Sequence, residues 1–168
     1  MSDGLACECH MPLAWHAGTL EPAELQRRMR EATLLLAALN QMEGMHELEA
    51  GGPENRRLDR IEAKLDLSLH LLARALEGGD APPDRSVQLT PGGAQWQDAA
   101  PPAEGLALTL EFRPSDALPL SLKLPAIALA PLNGAARVSF TGQSEALQEA
   151  LYQFIFRRHR QAIRARST

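Results

Sequence analysis

The chain of 168 residues carries 45% apolar and 23% charged side chains, proportions that are typical of one soluble globular domain. Its net charge of −4 excludes a basic nucleic-acid-binding surface outside residues 143–168, which hold five Arg and two Glu. No apolar run approaches the roughly 20 residues that cross a bilayer, and the N-terminus lacks the pattern of a signal peptide. We therefore expect a cytoplasmic protein without membrane or nucleic-acid partners.

Cysteine and histidine cluster near the N-terminus, at Cys7, Cys9, His10 and His16. One residue separates the two cysteines, whereas structural zinc sites use pairs spaced C-x2-4-C and H-x3-5-H. Because the spacing is marginal and there is no second cysteine pair, we predict no metal site and no disulfide framework. Residues 11–15 are consistent with a short extended segment, which Pro12 would restrict to a sheet edge.

Two long helices are predicted next, over residues 21–49 and 54–77. Glu21-Pro22 opens the first helix, and its run at residues 34–39 is apolar on more than one face, which indicates burial against two neighbours. Gly51-Gly52-Pro53 ends it, so the two helices are expected to form an antiparallel hairpin.

The second helix carries a row of apolar residues at spacings of three and four, here called the leucine row. Such a row needs a partner, which is either this chain's own core or another copy of the chain. We expect self-association, with dimer or tetramer open, because the domain that follows has a helix of its own to cover it. The leucine row consists of Leu58, Ile61, Leu65, Leu69, Leu72 and Leu76.

Beyond the Gly/Pro-rich residues 78–83 the apolar pattern alternates, which predicts five or six short strands and a small antiparallel barrel. Asn133-Gly134 is typical of a two-residue hairpin turn. A last helix, capped by Thr141 or Ser144, follows with an apolar face that Ile163 can extend. The predicted strands span residues 85–90, 94–97, 106–112, 118–124, 127–130 and 137–140; the helix face holds Leu147, Leu151, Phe154 and Ile155.

The segments QLTPGGAQW and EALQEALYQFIFRRHRQAIRARS, with the short strands between them, resemble a PilZ domain. That family is a small antiparallel β-barrel closed by a C-terminal helix, and many members bind cyclic di-GMP. With two long helices ahead of the barrel, the chain is similar to non-consensus tetrameric PilZ proteins, in which extra helices form the oligomer. The resemblance implies an α+β fold with an N-terminal segment at 1–18, in which residues 11–15 can supply a further barrel strand. It also implies an oligomerising helical hairpin at 19–78 and a barrel with its helix at 84–168.

The family's ligand motifs are R-x-x-x-R and [DN]-x-S-x-x-G. In the second motif Gly93 matches, while Gln88 and Thr90 replace the shorter Asp or Asn and Ser. The first motif matches at Arg56 and Arg60, which lie one turn apart at the start of a helix, where pairing with nearby acids is expected. Arg85 lies nearer to the barrel but stands alone. The resemblance therefore implies weak or absent binding of cyclic di-GMP.

These features favour a non-enzymatic adaptor in cyclic-di-GMP-related bacterial signalling, such as motility, pili or virulence. It would act on a protein partner as a homo-oligomer, which the resemblance implies is a tetramer. One alternative is a genuine cyclic-di-GMP receptor that uses arginines of a helix or of a neighbouring subunit. A second alternative is a helical-bundle scaffold unrelated to the nucleotide. No catalytic residues and no cofactor are predicted, because the histidines at 10, 16, 46, 70 and 159 are scattered and no nucleotide-binding glycine loop is present.

Overall fold

The structure, a computed structural model, describes residues 5–48, 82–115 and 121–166, together with six single positions between the first two ranges. Six strands and two helices lie in the continuous ranges. In chain order they are β1 (Cys7–Ala17), α1 (Pro22–Leu48), β2 (Asp84–Thr90), β3 (Gly93–Gln97), β4 (Ala107–Phe112), β5 (Leu122–Leu132), β6 (Ala135–Phe140) and α2 (Glu145–Arg166).

The six strands form a closed antiparallel barrel in the order β1-β2-β3-β6-β5-β4. Alternate residues point inward along each strand, and the apolar ones among them, including Leu89, Trp96 and Phe112, are almost fully buried. The buried face of α2 joins the same core through Leu147, Leu151, Phe154 and Ile155. The predicted barrel and C-terminal helix are thus confirmed.

Strand β1 is longer than the predicted segment and changes its partner at Pro12. Residues 7–12 pair with β2, and residues 13–17 pair with β4. The missing N–H of Pro12 falls at this change, and its carbonyl accepts a hydrogen bond from Arg113 N at 3.1 Å. A proline expected to restrict the segment to a sheet edge thus lies inside a strand that joins two neighbours.

Strand β5 corrects the prediction of two separate strands at 118–124 and 127–130. Leu122–Leu132 is one strand that continues through both Pro125 and Pro131. Pro125 lies just beyond the first residue pair with β6, Ala126 and Phe140, and Pro131 lies where the register shifts between Leu129 and Leu132. Ladder ends and bulges are the positions at which a strand tolerates the missing N–H of proline. The expected start of this strand at Leu118 lies outside the described residues.

Helix α1 packs against β5 and α2. Leu36 and Leu39 are buried, as the apolar run predicts, but Leu34 remains 71% exposed. The Asn40 amide donates to Ala150 O at 3.0 Å, and Arg157 donates to Asn40 O. These bonds connect α1 to α2.

Helix α2 begins after Ser144, whose Oγ accepts a hydrogen bond from Leu147 N at 3.2 Å. Ser144 is therefore the N-cap, which decides between the two predicted candidates. Ile163 does not extend the buried face, since it is 51% exposed.

The six single positions are helical, and all six are exposed: Leu58, Ile61, Leu65, Ser68, Leu69 and Leu72. The ends of the predicted second helix lie outside the described residues, so the antiparallel hairpin and its bundle stay predictions. Within the described part of the chain, neither helix is apolar enough over its length to cross a bilayer.

Candidate functional site

The three residues that the sequence places at the candidate ligand motif lie at the end of β2 and the start of β3, on either side of the turn that joins these strands. Gln88 is exposed near the end of β2, and it pairs with Glu8 of β1 on one side and Gln95 of β3 on the other. Thr90 closes the turn, with its hydroxyl donating to Gly93 O at 3.1 Å. The polar side chain of Gln88 thus lies on the outer surface of the barrel.

Gly93 is required by the barrel itself. A Cβ atom at this position would lie 2.1 Å from the carbonyl oxygen of Val138 on the neighbouring strand β6. No side chain can be accommodated at that distance without moving the backbone of β3 or β6. The close approach of β6 is therefore a structural reason for the glycine that matches the ligand motif.

Arg85 lies on the opposite face of β2 from Gln88, because side chains alternate along a strand. It shares the inward face with the buried Val87 and Leu89. One Arg85 Nη donates to Gln97 O at 3.2 Å and forms an ion pair with Asp98 Oδ2 at 3.2 Å. The side chains of Arg85 and Gln88 therefore lie on opposite faces of β2.

Asp98 is the centre of a polar cluster that the sequence analysis did not identify. The indole N–H groups of Trp96 and Trp15 donate to Asp98 Oδ2 at 3.0 and 3.2 Å, and Ala100 N donates to its Oδ1 at 3.1 Å. Burial acts to raise the pKa of Asp98, but the hydrogen bonds from Trp96, Ala100 and Trp15 and the charge of Arg85 together hold that pKa below its usual value. Asp98 is therefore ionised at neutral pH and holds Arg85 in place.

Two cavities lie between the barrel and α2. One, of about 240 Å³, has Glu8 and Gln88 on the strand side and His159 and Ile163 on the helix side. The other, of about 320 Å³, has Cys7, Cys9 and Arg113 on the strand side and Arg158 on the helix side. The candidate motif residue Gln88 therefore faces a small space that α2 borders.

A comparison with protein families matches residues 33–167 to the family described as "Atypical PilZ domain, cyclic di-GMP receptor". The match covers well over half of the chain. The chain belongs to the atypical PilZ family. Its description refers to a binding activity and not to a catalytic one. A search of proteins of curated function found no match.

A solved structure with the same fold is a pathogenic protein from Xanthomonas campestris, described as a new tetrameric PilZ domain self-assembled via an unusual helical bundle. The two chains are 29% identical, and their superposition has a TM-score of 0.76. The comparison covers 97% of this chain and 92% of the other. The similarity therefore includes the parts of this PilZ protein that precede the family match, among them β1.

The five described members of the leucine row of this PilZ protein are exposed to solvent within a single chain. Leu58, Leu65 and Leu72 are 53%, 58% and 57% exposed, and Ile61 and Leu69 are exposed as well. Leu76 lies outside the described residues, as do Arg56 and Arg60, so their placement stays a prediction. Leucines at helical spacing with this exposure form an apolar surface that is not buried within the described protomer.

A second exposed apolar stripe runs along the outer face of α2. The rings of Tyr152 and Phe156 stack with centroids 6.4 Å apart, and the Arg160 guanidinium lies 5.8 Å from the Phe156 centroid. Both rings are nearly half exposed. A stacked aromatic pair with a neighbouring cation suits contact with a protein surface that offers apolar and acidic groups. This stripe was not predicted from the sequence, although the spacing of four residues between the rings could have indicated it.

Proposed function

We propose that this PilZ protein is a non-enzymatic adaptor in cyclic-di-GMP-related bacterial signalling, such as motility, pili or virulence. It acts in the cytoplasm as a homo-oligomer assembled through the leucine row, and it engages a signalling protein without binding the nucleotide itself. The observation that carries this proposal is the separation of Arg85 from Gln88 and Thr90 on opposite faces of β2.

Recognition of a cyclic dinucleotide requires guanidinium groups that reach phosphate or stack on guanine, next to the polar residues of the turn. Arg85 is already held by Asp98 and Gln97 on the inward face. The side chain of Asp98 is only 9% exposed. If Arg85 were released to a ligand, this nearly buried carboxylate would lose its cationic partner, which is energetically unfavourable. Arg85 is therefore a structural residue in this proposal.

The space at Gln88 also argues against a large ligand. The cavity has a volume of about 240 Å³, whereas pockets for drug-sized ligands generally have about 300 to 1,000 Å³. Gln88, which borders this cavity, is one methylene longer than the Asn of the motif, and Thr90 carries a methyl group that the Ser of the motif lacks. Each change reduces the fit of a guanine base at the turn.

Self-assembly is supported by the exposure of the leucine row and by the similarity to a PilZ domain that self-assembles as a tetramer. Complete burial of a leucine or isoleucine side chain contributes about 1.5 to 3 kcal/mol. Five such side chains, each between 38% and 58% exposed, therefore provide a substantial driving force for association between protomers.

A second candidate function is a genuine cyclic-di-GMP receptor, which the description of the matched family favours. In that case Arg56 and Arg60, or the arginines of α2, supply the clamp from a neighbouring protomer. The two candidates differ in whether the assembled protein binds the nucleotide.

Calorimetric titration of cyclic di-GMP into the assembled protein separates the two candidates, with GMP as the control ligand. If the protein is an adaptor that does not bind the nucleotide, we expect no heat of binding and no change in melting temperature at roughly 100 µM cyclic di-GMP. Saturable binding of cyclic di-GMP, absent for GMP, would refute the adaptor. Arg56→Ala and Arg60→Ala would then abolish binding if these residues form the clamp, whereas Gln88→Ala would weaken it if the turn takes part.

A further inference from the structure

The thiols of Cys7 and Cys9 lie next to each other on the inward side of β1. Residues two apart on a strand point to the same face, and the two Sγ atoms are 2.8 Å apart. Cys7 is buried and Cys9 is half-buried, and both are free thiols. Cys7 also borders the cavity of about 240 Å³ that Gln88 faces, but the proposed adaptor role does not use the two thiols.

The backbone geometry of β1 permits a bond between these two sulfurs. Two residues of extended strand separate the Cα atoms by about 6.6 Å, from a rise of about 3.3 Å per residue. Disulfides usually join Cα atoms that are about 4.4 to 6.8 Å apart. The Cβ atoms must also approach to about 3.5 to 4.5 Å, so formation of the bridge requires the strand to contract locally between Cys7 and Cys9.

Both thiols border the cavity of about 320 Å³ between β1 and α2, which is large enough to admit a small oxidant. The Arg158 side chain lies in the wall of the same cavity, and its guanidinium donates to Pro114 O at 2.9 Å. A fixed cation beside a thiol favours the thiolate, which is the nucleophilic form.

The hydrogen bond between the thiols shifts their two pKa values in opposite directions. It lowers the pKa of Cys7, with Arg158 acting in the same direction, while burial and the charge of Glu8 oppose the change. The same hydrogen bond, together with burial, raises the pKa of Cys9. A lowered pKa favours the thiolate form of Cys7, which is the nucleophilic form, and a raised pKa favours the protonated form of Cys9.

We propose that Cys7 and Cys9 form a redox modification site, at which a hydroperoxide converts the two thiols into an intrachain disulfide. The Cys7 thiolate attacks one peroxide oxygen, the O–O bond breaks, and Cys7 becomes a sulfenic acid as hydroxide leaves. The Cys9 sulfur then attacks the Cys7 sulfur, the S–O bond breaks, and the proton of Cys9 leaves with the oxygen as water. Two electrons pass from the thiol pair to the peroxide.

A metal ion is a poorer occupant for the pair. Soft metals accept two thiolates, but the described residues contain no group of three Cys, His, Asp or Glu side chains that is placed to hold an ion. His16 lies at the other end of β1, with its ring 3.2 Å from Glu111.

The test treats the reduced full-length protein with one equivalent of hydrogen peroxide and measures its intact mass and its alkylatable thiols. The proposal predicts the loss of both thiols together, a mass lower by two hydrogens without a covalent dimer, and full reversal by dithiothreitol. Cys7→Ser and Cys9→Ser each retain one cysteine, so neither can form the bridge. Cys9→Ser should instead accumulate a sulfenic acid that dimedone traps.

Three results would overturn the proposal. In the first, one thiol of the wild-type protein remains alkylatable after oxidation. In the second, the wild-type protein forms disulfides only between chains. In the third, the wild-type protein takes up oxygen without losing its second thiol. The measurement on the wild-type chain decides the matter even if either serine variant folds poorly.

Discussion

Asp98 connects distant parts of the barrel through a single carboxylate. Trp15 comes from β1, Trp96 from β3 and Arg85 from β2, and all three contact the same oxygen. A buried carboxylate is stable only when its charge and its lone pairs are satisfied. The cluster therefore stabilises the folded barrel as long as Asp98 is ionised.

This arrangement predicts acid-dependent stability. Because the pKa of Asp98 is lowered in the folded state, its contribution is fully present above the unfolded value of about 3.9 and is lost as the pH falls through the folded value. Asp98→Asn should destabilise the protein at pH 7 by about 1 to 3 kcal/mol, and it should flatten the decline in stability below pH 4.

Urea unfolding at several pH values, followed by the fluorescence of the two tryptophans, measures this effect. Asp84→Asn is the matched control, since Asp84 is exposed on the same strand as Arg85 and should retain the wild-type profile. An Asp98→Asn protein with an unchanged acid profile would contradict the assigned role of the cluster.

Gly93 offers a second test at the level of one residue. Gly93→Ala places a methyl group against Val138 O, so we expect a loss of stability of more than about 2 kcal/mol, or failure to fold. Gly92→Ala is the control in the same turn, because a Cβ there meets no atom within 4 Å. Denaturant unfolding without any nucleotide compares the two variants. Equal stability of both would show that Gly93 is not required by the fold.

At the scale of elements, the contact between α1 and α2 combines apolar packing with one buried amide. Asn40 is 6% exposed, and its side chain reaches the backbone of α2 at Ala150. Polar bonds in such a contact determine the relative position of two helices more strictly than leucine packing does.

Asn40→Ala should therefore destabilise the fold by about 1 to 2 kcal/mol, through loss of the hydrogen bond and creation of a small cavity. Leu34→Ala, on the exposed side of the same helix, should change stability by less than about 0.5 kcal/mol. The free energy of unfolding of both variants should be measured by denaturant unfolding at one fixed protein concentration, because assembly contributes to apparent stability. Equal effects of the two substitutions would argue against a structural role of Asn40.

At the scale of the whole molecule, the barrel buries its own core and the leucine row remains outside it. Substitution of both Leu65 and Leu72 by Asp should dissociate the assembly, because each charge would have to be desolvated between protomers. Sedimentation and light scattering should then give the mass of one protomer. Leu132→Asp is the control, since Leu132 is 52% exposed in the hairpin between β5 and β6 and should leave the assembly intact. If the double variant sediments at the wild-type mass, the leucine row packs against its own chain and does not form the contact between protomers.

Local features of the fold were predictable from the sequence. The Asn133-Gly134 turn has φ values of 52° and 78°, the positive values that these two residue types tolerate best. The buried face of α2 follows from residues spaced at the helical period. The continuation of β5 through two prolines was not predictable, since it depends on where β6 ends and where its register shifts.

The candidate site was less predictable than the fold. Gln88, Thr90 and Gly93 were found as a motif, but the motif does not reveal that Gly93 is required by β6 or that Arg85 points away from Gln88. The polar cluster around Asp98 was not predicted, because Trp15 is 83 residues away from Asp98 along the chain. Such clusters can be recognised only when the order of the strands in the barrel is known.

The sequence by itself determined the alternating strand segments after residue 83, the last helix, the tight turn and the apolar row, because each of these depends on residues within a few positions of one another. Only the tertiary structure decided the partner of Arg85, the reason for Gly93 and the contact between α1 and α2. Those features depend on the pairing and register of strands and helices that are distant in the chain. Their contacts are decided by packing and by the satisfaction of buried polar groups, which local periodicity does not specify.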